Sequence, residues 1–218
     1  MENIFHSIFF NSKEPFLFLI NSFNYFDGLD GSLSFSTIST LGILLFLTNN
    51  NDVANLALIQ KRVEIFIILI LIPIILFLLF NFSIFNFKKL FLGDGGSLLL
   101  GFIISFTLIY LANQKIVHPI LLAYSISIFV YEFLSINFIR LKNNQNLFKA
   151  GQDHLHHILF KKTNSIFLTN CVLILTNVFF FMIGYFSFVI INPITSLILF
   201  IILFIIFLNL RFKFLKNL

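Results

Sequence analysis

Six long apolar stretches dominate the sequence, at about residues 29–48, 63–85, 97–113, 117–139, 166–189 and 193–210. A helix needs about 20 apolar residues to cross a bilayer, and lipid offers no partner to a bare backbone N–H or C=O. The pattern therefore predicts an all-α polytopic transmembrane bundle of about six spanning helices, one membrane domain over residues 1–218. Bulk composition agrees: 59% of residues are hydrophobic, 11% are charged and the mean hydropathy is +1.01, far from the balance of a soluble domain. The first stretch is rich in Ser and Thr, which predicts a helix facing protein more than lipid. Asn192-Pro193 supplies the turn between the last two. The apolar run from Pro15 to Phe23 is too short to span. With Glu2, Lys13 and Glu14 around it, it reads as the tail of a helix whose earlier part is missing, not as a cleavable signal. The single Cys171 leaves no disulfide framework. A nucleic-acid partner is not expected, because the basic residues flank apolar runs and form no polar domain of their own.

Crossing parity sorts the polar breaks into two sides. One side collects Lys88, Lys89, Arg140, Lys142, Lys149, Lys161, Lys162, Arg211, Lys213 and Lys216, against Lys61, Arg62 and Lys115 on the other. The positive-inside bias makes the first side cytoplasmic. That side also receives three unusual clusters: Asn24-Tyr25-Phe26-Asp27-Gly28-Leu29-Asp30-Gly31, Phe91-Leu92-Gly93-Asp94-Gly95-Gly96-Ser97 and Asp153-His154-Leu155-His156-His157. On the opposite side Asp52 and Glu64 stand alone. Acidic and imidazole groups gathered at one membrane face imply a single cytoplasmic site.

Each cluster has its own chemistry. Asn24, Asp27 and Asp30 recur every three residues, which on a helix shares one face, with Gly28 and Gly31 admitting a ligand or a neighbouring helix. A polar turn is the plain alternative. An EF-hand is excluded, because Leu29 and Gly31 would fall on its third and fifth ligand positions. In the second cluster, amides at a helix start favour phosphate, and Asp94 is a hard oxygen ligand suited to Mg²⁺. No Gly-Lys-Ser/Thr follows, so it is not a P-loop, and Ser97 as an N-cap is the simpler reading. In the third, zinc would want a separated further ligand and none is evident. A loop holding a phosphate or sugar through imidazole groups, helped by Lys149, Lys161 and Lys162, fits better; a solvated polar loop is the alternative. Glu132 lies about two turns inside a span, where an ionisable group faces a polar interior, and its partner is not legible. His118 and Cys171 read as structural.

Together the motifs carry a resemblance. NSFNYFDGLDG, FLGDGGS and GQDHLHHIL resemble, in order and spacing, the Asn-x-x-Asn-x-x-Asp-Gly-x-Asp-Gly signature, the Gly-Asp-x-Gly-Ser loop and the His-x-His-His loop of polyprenyl-phosphate N-acetylhexosamine-1-phosphate transferases, glycosyltransferase family 4. YEFLSINFIR is similar to the helix before the histidine loop. The resemblance covers nearly all of residues 15–165 and is closest to the bacterial undecaprenyl-phosphate N-acetylglucosamine-1-phosphate transferases. It implies transfer of a sugar-1-phosphate, N-acetylglucosamine-1-phosphate by preference, from a UDP-sugar to undecaprenyl phosphate. UMP would leave and a lipid-linked cell-envelope glycan would begin. The implied catalytic residues are Asp27, Asp30 and Asp94, with Asp94 on Mg²⁺ (or Mn²⁺); Asn24, His154, His156 and His157 would bind substrate.

Three departures qualify it. No Asp-Asp pair occurs in the chain, whereas the family carries one in an earlier cytoplasmic loop. Gln152 stands where Arg is common, and Glu132 where Asp is common. The expectation is therefore a multi-pass inner-membrane transferase of this kind, in full or as a fragment; the alternative is a truncated, non-catalytic member that at most binds UDP-sugar and Mg²⁺, or one that needs a separately encoded N-terminal half. A transporter fits less well, because Glu132 alone is ionisable at mid-bilayer depth.

Overall fold

The computed structural model describes residues 13–49, 57–146, 151 and 153–216. Nine α-helices follow one another among them: α1 Lys13–Asn24, α2 Ser32–Asn49, α3 Ala57–Asn81, α4 Gly93–Asn113, α5 Pro119–Ser125, α6 Ser127–Lys142, α7 Leu155–Thr163, α8 Ile166–Ile190 and α9 Pro193–Lys216. Five are long and apolar enough to cross a membrane, and α5 with α6 makes up to six. The chain is a multi-pass helical membrane protein.

Burial separates the helices by role. Two-thirds of the α2 span is buried, against 28% for α3 and 11% for α9. Ser32, Ser34, Ser36, Thr37, Thr40 and Thr48 all lie inside on α2, so the Ser/Thr-rich helix faces protein, as its composition predicts. α3 and α9 instead turn Ile, Leu and Phe outward all along their length, as a helix bathed in lipid does. Close approach of α1 to α4 depends on Gly101: a Cβ there would lie 2.9 Å from the Cα and carbonyl oxygen of Ile20.

The span expected at 117–139 is broken. α5 and α6 meet at 73° around Ile126. A bend frees backbone groups that lipid cannot satisfy, and here the Ser125 carbonyl accepts from Thr40 Oγ1 at 2.9 Å and from Asn177 Nδ2 at 3.2 Å. Asn177 Nδ2 also donates to Ser39 Oγ at 2.9 Å. Hydropathy runs smoothly through this bend, so the sequence reads it as one helix.

Local capping explains the other boundaries. Pro119 opens α5, with the Ile120 amide donating to His118 Nδ1 at 3.2 Å, which gives His118 the structural role expected of it. Asn192 Oδ1 accepts from the Thr195 amide at 2.8 Å and starts α9. Two expectations are corrected. Asn24, Asp27 and Asp30 do not share a helical face: α1 ends at Asn24, and residues 25–31 form successive turns closed by Phe26 N–H to Phe23 C=O and Asp27 N–H to Asn24 C=O, with Gly31 at φ +75°. The histidine segment is not a loop, since His156 and His157 lie in the first turn of α7.

Candidate active site

The three clusters converge where helices end. Gly93, at φ +65°, turns the chain into α4, which puts Asp94 in the first turn and Ser97 within it. Ser97 is therefore not the N-cap that the sequence allows. Its hydroxyl donates to Asn24 Oδ1 at 2.6 Å, tying the Gly-Asp segment to the end of α1. Asn24 thus serves as a brace between the first two clusters.

Asp27, Asp30 and Asp94 line one cleft of about 270 Å³, together with Asn81, Phe91 and Leu92. Burial, and then the neighbouring Asp94 charge, push the Asp27 carboxyl above its ordinary value. Asp30 is drawn to the side by Lys89, whose Nζ sits 2.6 Å from Oδ2. The Asp30 carbonyl accepts from Asn170 Nδ2 at 2.9 Å, which pins the Asp-Gly turn to α8. Among the described residues no group of three or more His, Cys, Asp or Glu side chains is arranged to hold a metal ion. Two repelling carboxylates on a polar cleft nevertheless fit Mg²⁺, which is commonly held by one or two carboxylates and completed by water and substrate phosphates.

The histidine helix closes against the same turn. A Cβ on Gly28 would collide with His156 Nε2 and lie 3.0 Å from His157 Nε2, so only glycine admits the imidazoles here. His156 is 1% exposed, its ring stacked parallel to that of His154 at 5.6 Å and 4.2 Å from that of His157. Burial, reinforced by the neighbouring imidazoles, holds both His156 and His157 below the ordinary histidine value, so both rings are neutral near pH 7 and offer hydrogen bonds, not charge.

Glu132, whose partner the sequence conceals, accepts from the Leu155 amide at 2.8 Å and from Arg211 Nη2 at 3.1 Å. Arg140 instead grips Asp153 with two bonds, of 3.0 and 2.9 Å. Burial would raise the Asp153 carboxyl, but the Arg140 bonds outweigh it and hold it below its ordinary value. Sequence reading missed the contributions of Asn81, Lys89, Asn170 and Arg211 to the site. Asn170 and Asn81, polar residues inside apolar helices, were the available signal. Lys149 and Gln152 lie outside the described residues.

Residues 14–112 match the family model described as glycosyl transferase family 4. Over those residues the chain is similar to that family. This bears out the resemblance, and the matched residues contain the first two of the three motifs. The chain is 27% identical over 148 residues to the undecaprenyl-phosphate alpha-N-acetylglucosaminyl 1-phosphate transferase of Yersinia pestis, an alignment covering 65% of this chain and 38% of that one. Identity to the Escherichia coli K12 protein of the same description is 26% over the same coverage. A phospho-N-acetylmuramoyl-pentapeptide-transferase from Helicobacter acinonychis is 33% identical over 56% of this chain and 34% of its own. The matches thus span little more than a third of these relatives' length. No solved structure matches. The relatives are transferases of phosphosugars, and that is the class to which this chain is related.

Proposed function

We propose that this chain carries the second part of the active site of an inner-membrane transferase that moves N-acetylhexosamine-1-phosphate, preferentially N-acetylglucosamine-1-phosphate, from a UDP-sugar to undecaprenyl phosphate. UMP leaves, and the lipid-linked product begins a cell-envelope glycan. The reading rests on one observation above all: three motifs far apart in sequence meet around the Asp-Gly turn, through Ser97 on Asn24, Asp94 beside Asp27 and Gly28 under His156 and His157. The positive-inside bias supports a cytoplasmic face for that site.

Phosphoryl transfer asks a protein mainly for positioning and for opposing developing charge. Asp94 and Asp27 would hold Mg²⁺, which when bound neutralises the diphosphate and eases departure of UMP. The α4 amino terminus, open at Gly93 and Gly95, would offer backbone N–H groups to a phosphate. Neutral His156 and His157 would donate to the sugar-phosphate oxygens, with His154 behind them. Lys89, paired with Asp30 at 2.6 Å, would bring a cation near the phosphates.

A second reading has its own support. The sequence has no Asp-Asp pair and its match spans 38% of the relatives' length, so helices outside these residues would supply the remaining carboxylates. The test is UMP release from UDP-N-acetylglucosamine, Mg²⁺ and undecaprenyl phosphate, by the purified chain alone and with the amino-terminal helices of a relative. Release in either arm supports transfer, and release only in the second shows that helices outside these residues complete the site. Release in neither arm, with no UDP-sugar binding, refutes the proposal.

A further inference from the structure

α9 is the helix least embedded in the protein, with 11% of its span buried, and nothing in its sequence points to the site. Yet Arg211, near its end, is 1% exposed and reaches the histidine segment. One nitrogen, Nη2, donates to Glu132 Oε1 at 3.1 Å and to the Asp153 carbonyl at 2.6 Å. Glu132 Oε1 also takes the Leu155 amide at 2.8 Å and lies 3.6 Å from His154 Nδ1. Both chain neighbours of His154 are therefore fixed, Asp153 through Arg140 and Arg211, and Leu155 through Glu132. The wholly buried Glu132 carboxylate caps the α7 amino terminus, where an anion is favoured, but burying it requires a cation. Arg211 is that cation, and its bond to the Asp153 carbonyl sets where the segment sits. The tolerance within this same first turn of α7 is narrow, because His156 and His157 press on Gly28 with no room to move inward.

We propose that Arg211 is a positioning residue of the donor site: through Glu132 and the Asp153 carbonyl, the last helix holds the three histidines against the Asp-Gly turn. This assignment rests on reading the histidine segment as the donor site. A purely stabilising pair would anchor α9 to α6, whereas here the bonded partners include the backbone of the segment that carries the imidazoles.

The experiment uses the full chain in detergent, as wild type, Arg211→Met and Arg211→Lys. Hydrogen exchange of the 153–158 amides is followed, with binding of UDP-N-acetylglucosamine and of UMP. Arg211→Met should raise exchange in that segment about tenfold or more while α2 and α8 stay protected. It should weaken UDP-N-acetylglucosamine about tenfold and leave UMP nearly unchanged, because UMP lacks the sugar-phosphate that the histidines face. Arg211→Lys keeps the charge but not both bonds, and should fall between. If Arg211→Met fails to fold, Glu132→Gln removes the buried charge with little change of shape and gives the same readouts. Unchanged exchange at 153–158, a uniform rise over all helices, or equal loss of both nucleotides would overturn the proposal. Wild-type chain that binds no UDP-N-acetylglucosamine refutes the donor site itself, while the exchange data still decide whether Arg211 holds the segment.

Discussion

Replacing Gly28 by alanine adds a methyl group where the structure has no space for one. The new Cβ would overlap His156 Nε2, lie 3.2 Å from His156 Cε1 and reach 3.0 Å from His157 Nε2. Gly28 itself is not at positive φ, so the backbone tolerates alanine and the whole effect falls on the imidazoles. His156 cannot swing into solvent, being 1% exposed and packed beside Phe26 and His154. Overpacking of this kind costs about 1–3 kcal/mol, and relief requires α7 to retreat from the turn. If the histidines hold the donor, that cost appears as about a five- to 150-fold loss of UDP-N-acetylglucosamine affinity. Titration calorimetry on the detergent-solubilised chain reads the loss, with Gly42→Ala as control because nothing lies within 4 Å of a Cβ there. Wild-type affinity in a folded Gly28→Ala variant would refute the claim that the Asp-Gly turn and the histidines form one site.

Other outcomes follow from the same geometry. Gly101→Val forces α1 off α4, since even a Cβ sits 2.9 Å from the Ile20 backbone, and should lower the thermal midpoint by about 2–8 °C. His156 and His157 titrate below 6.5 in the folded chain, so between their folded values and 6.5 the unfolded chain binds more protons. Stability should therefore be complete above 6.5 and fall as the pH is lowered through that window; a flat pH profile of the unfolding midpoint would contradict this. Asp94→Asn removes one of the two causes that raise Asp27, and infrared titration should show the Asp27 carboxyl moving down toward its ordinary value.

What the sequence discloses, it discloses through strong physical constraints. A bilayer admits only closed hydrogen bonding, so α2, α3, α4, α8 and α9 announce themselves by hydropathy, and the Ser/Thr content of α2 correctly marks its inward face. The site motifs are legible because Asp-Gly turns and paired histidines are poor solutions for a lipid-facing segment. The bend at Ile126 is hidden, because the side chains that satisfy it, Thr40 and Asn177, come from other helices. α7 is hidden because its apolar period, Leu155, Ile158 and Leu159, lasts barely two turns, and the Glu132 carboxylate that caps it lies 23 residues away. Arg211 reads as one more basic residue in a flanking tail; only the packing of α9 on α6 and α7 turns it inward. Asp30 similarly reads as a free carboxylate until the fold brings Lys89 to it.

The central claim is that Asp27, Asp94 and the histidines act on one UDP-sugar diphosphate. It is tested most directly by calorimetric binding of UDP-N-acetylglucosamine to the wild-type chain and to Asp94→Asn, with Mg²⁺ and with chelator. The wild type should bind only with Mg²⁺, and a folded Asp94→Asn variant should not bind. Binding indifferent both to Mg²⁺ and to Asp94 would contradict it.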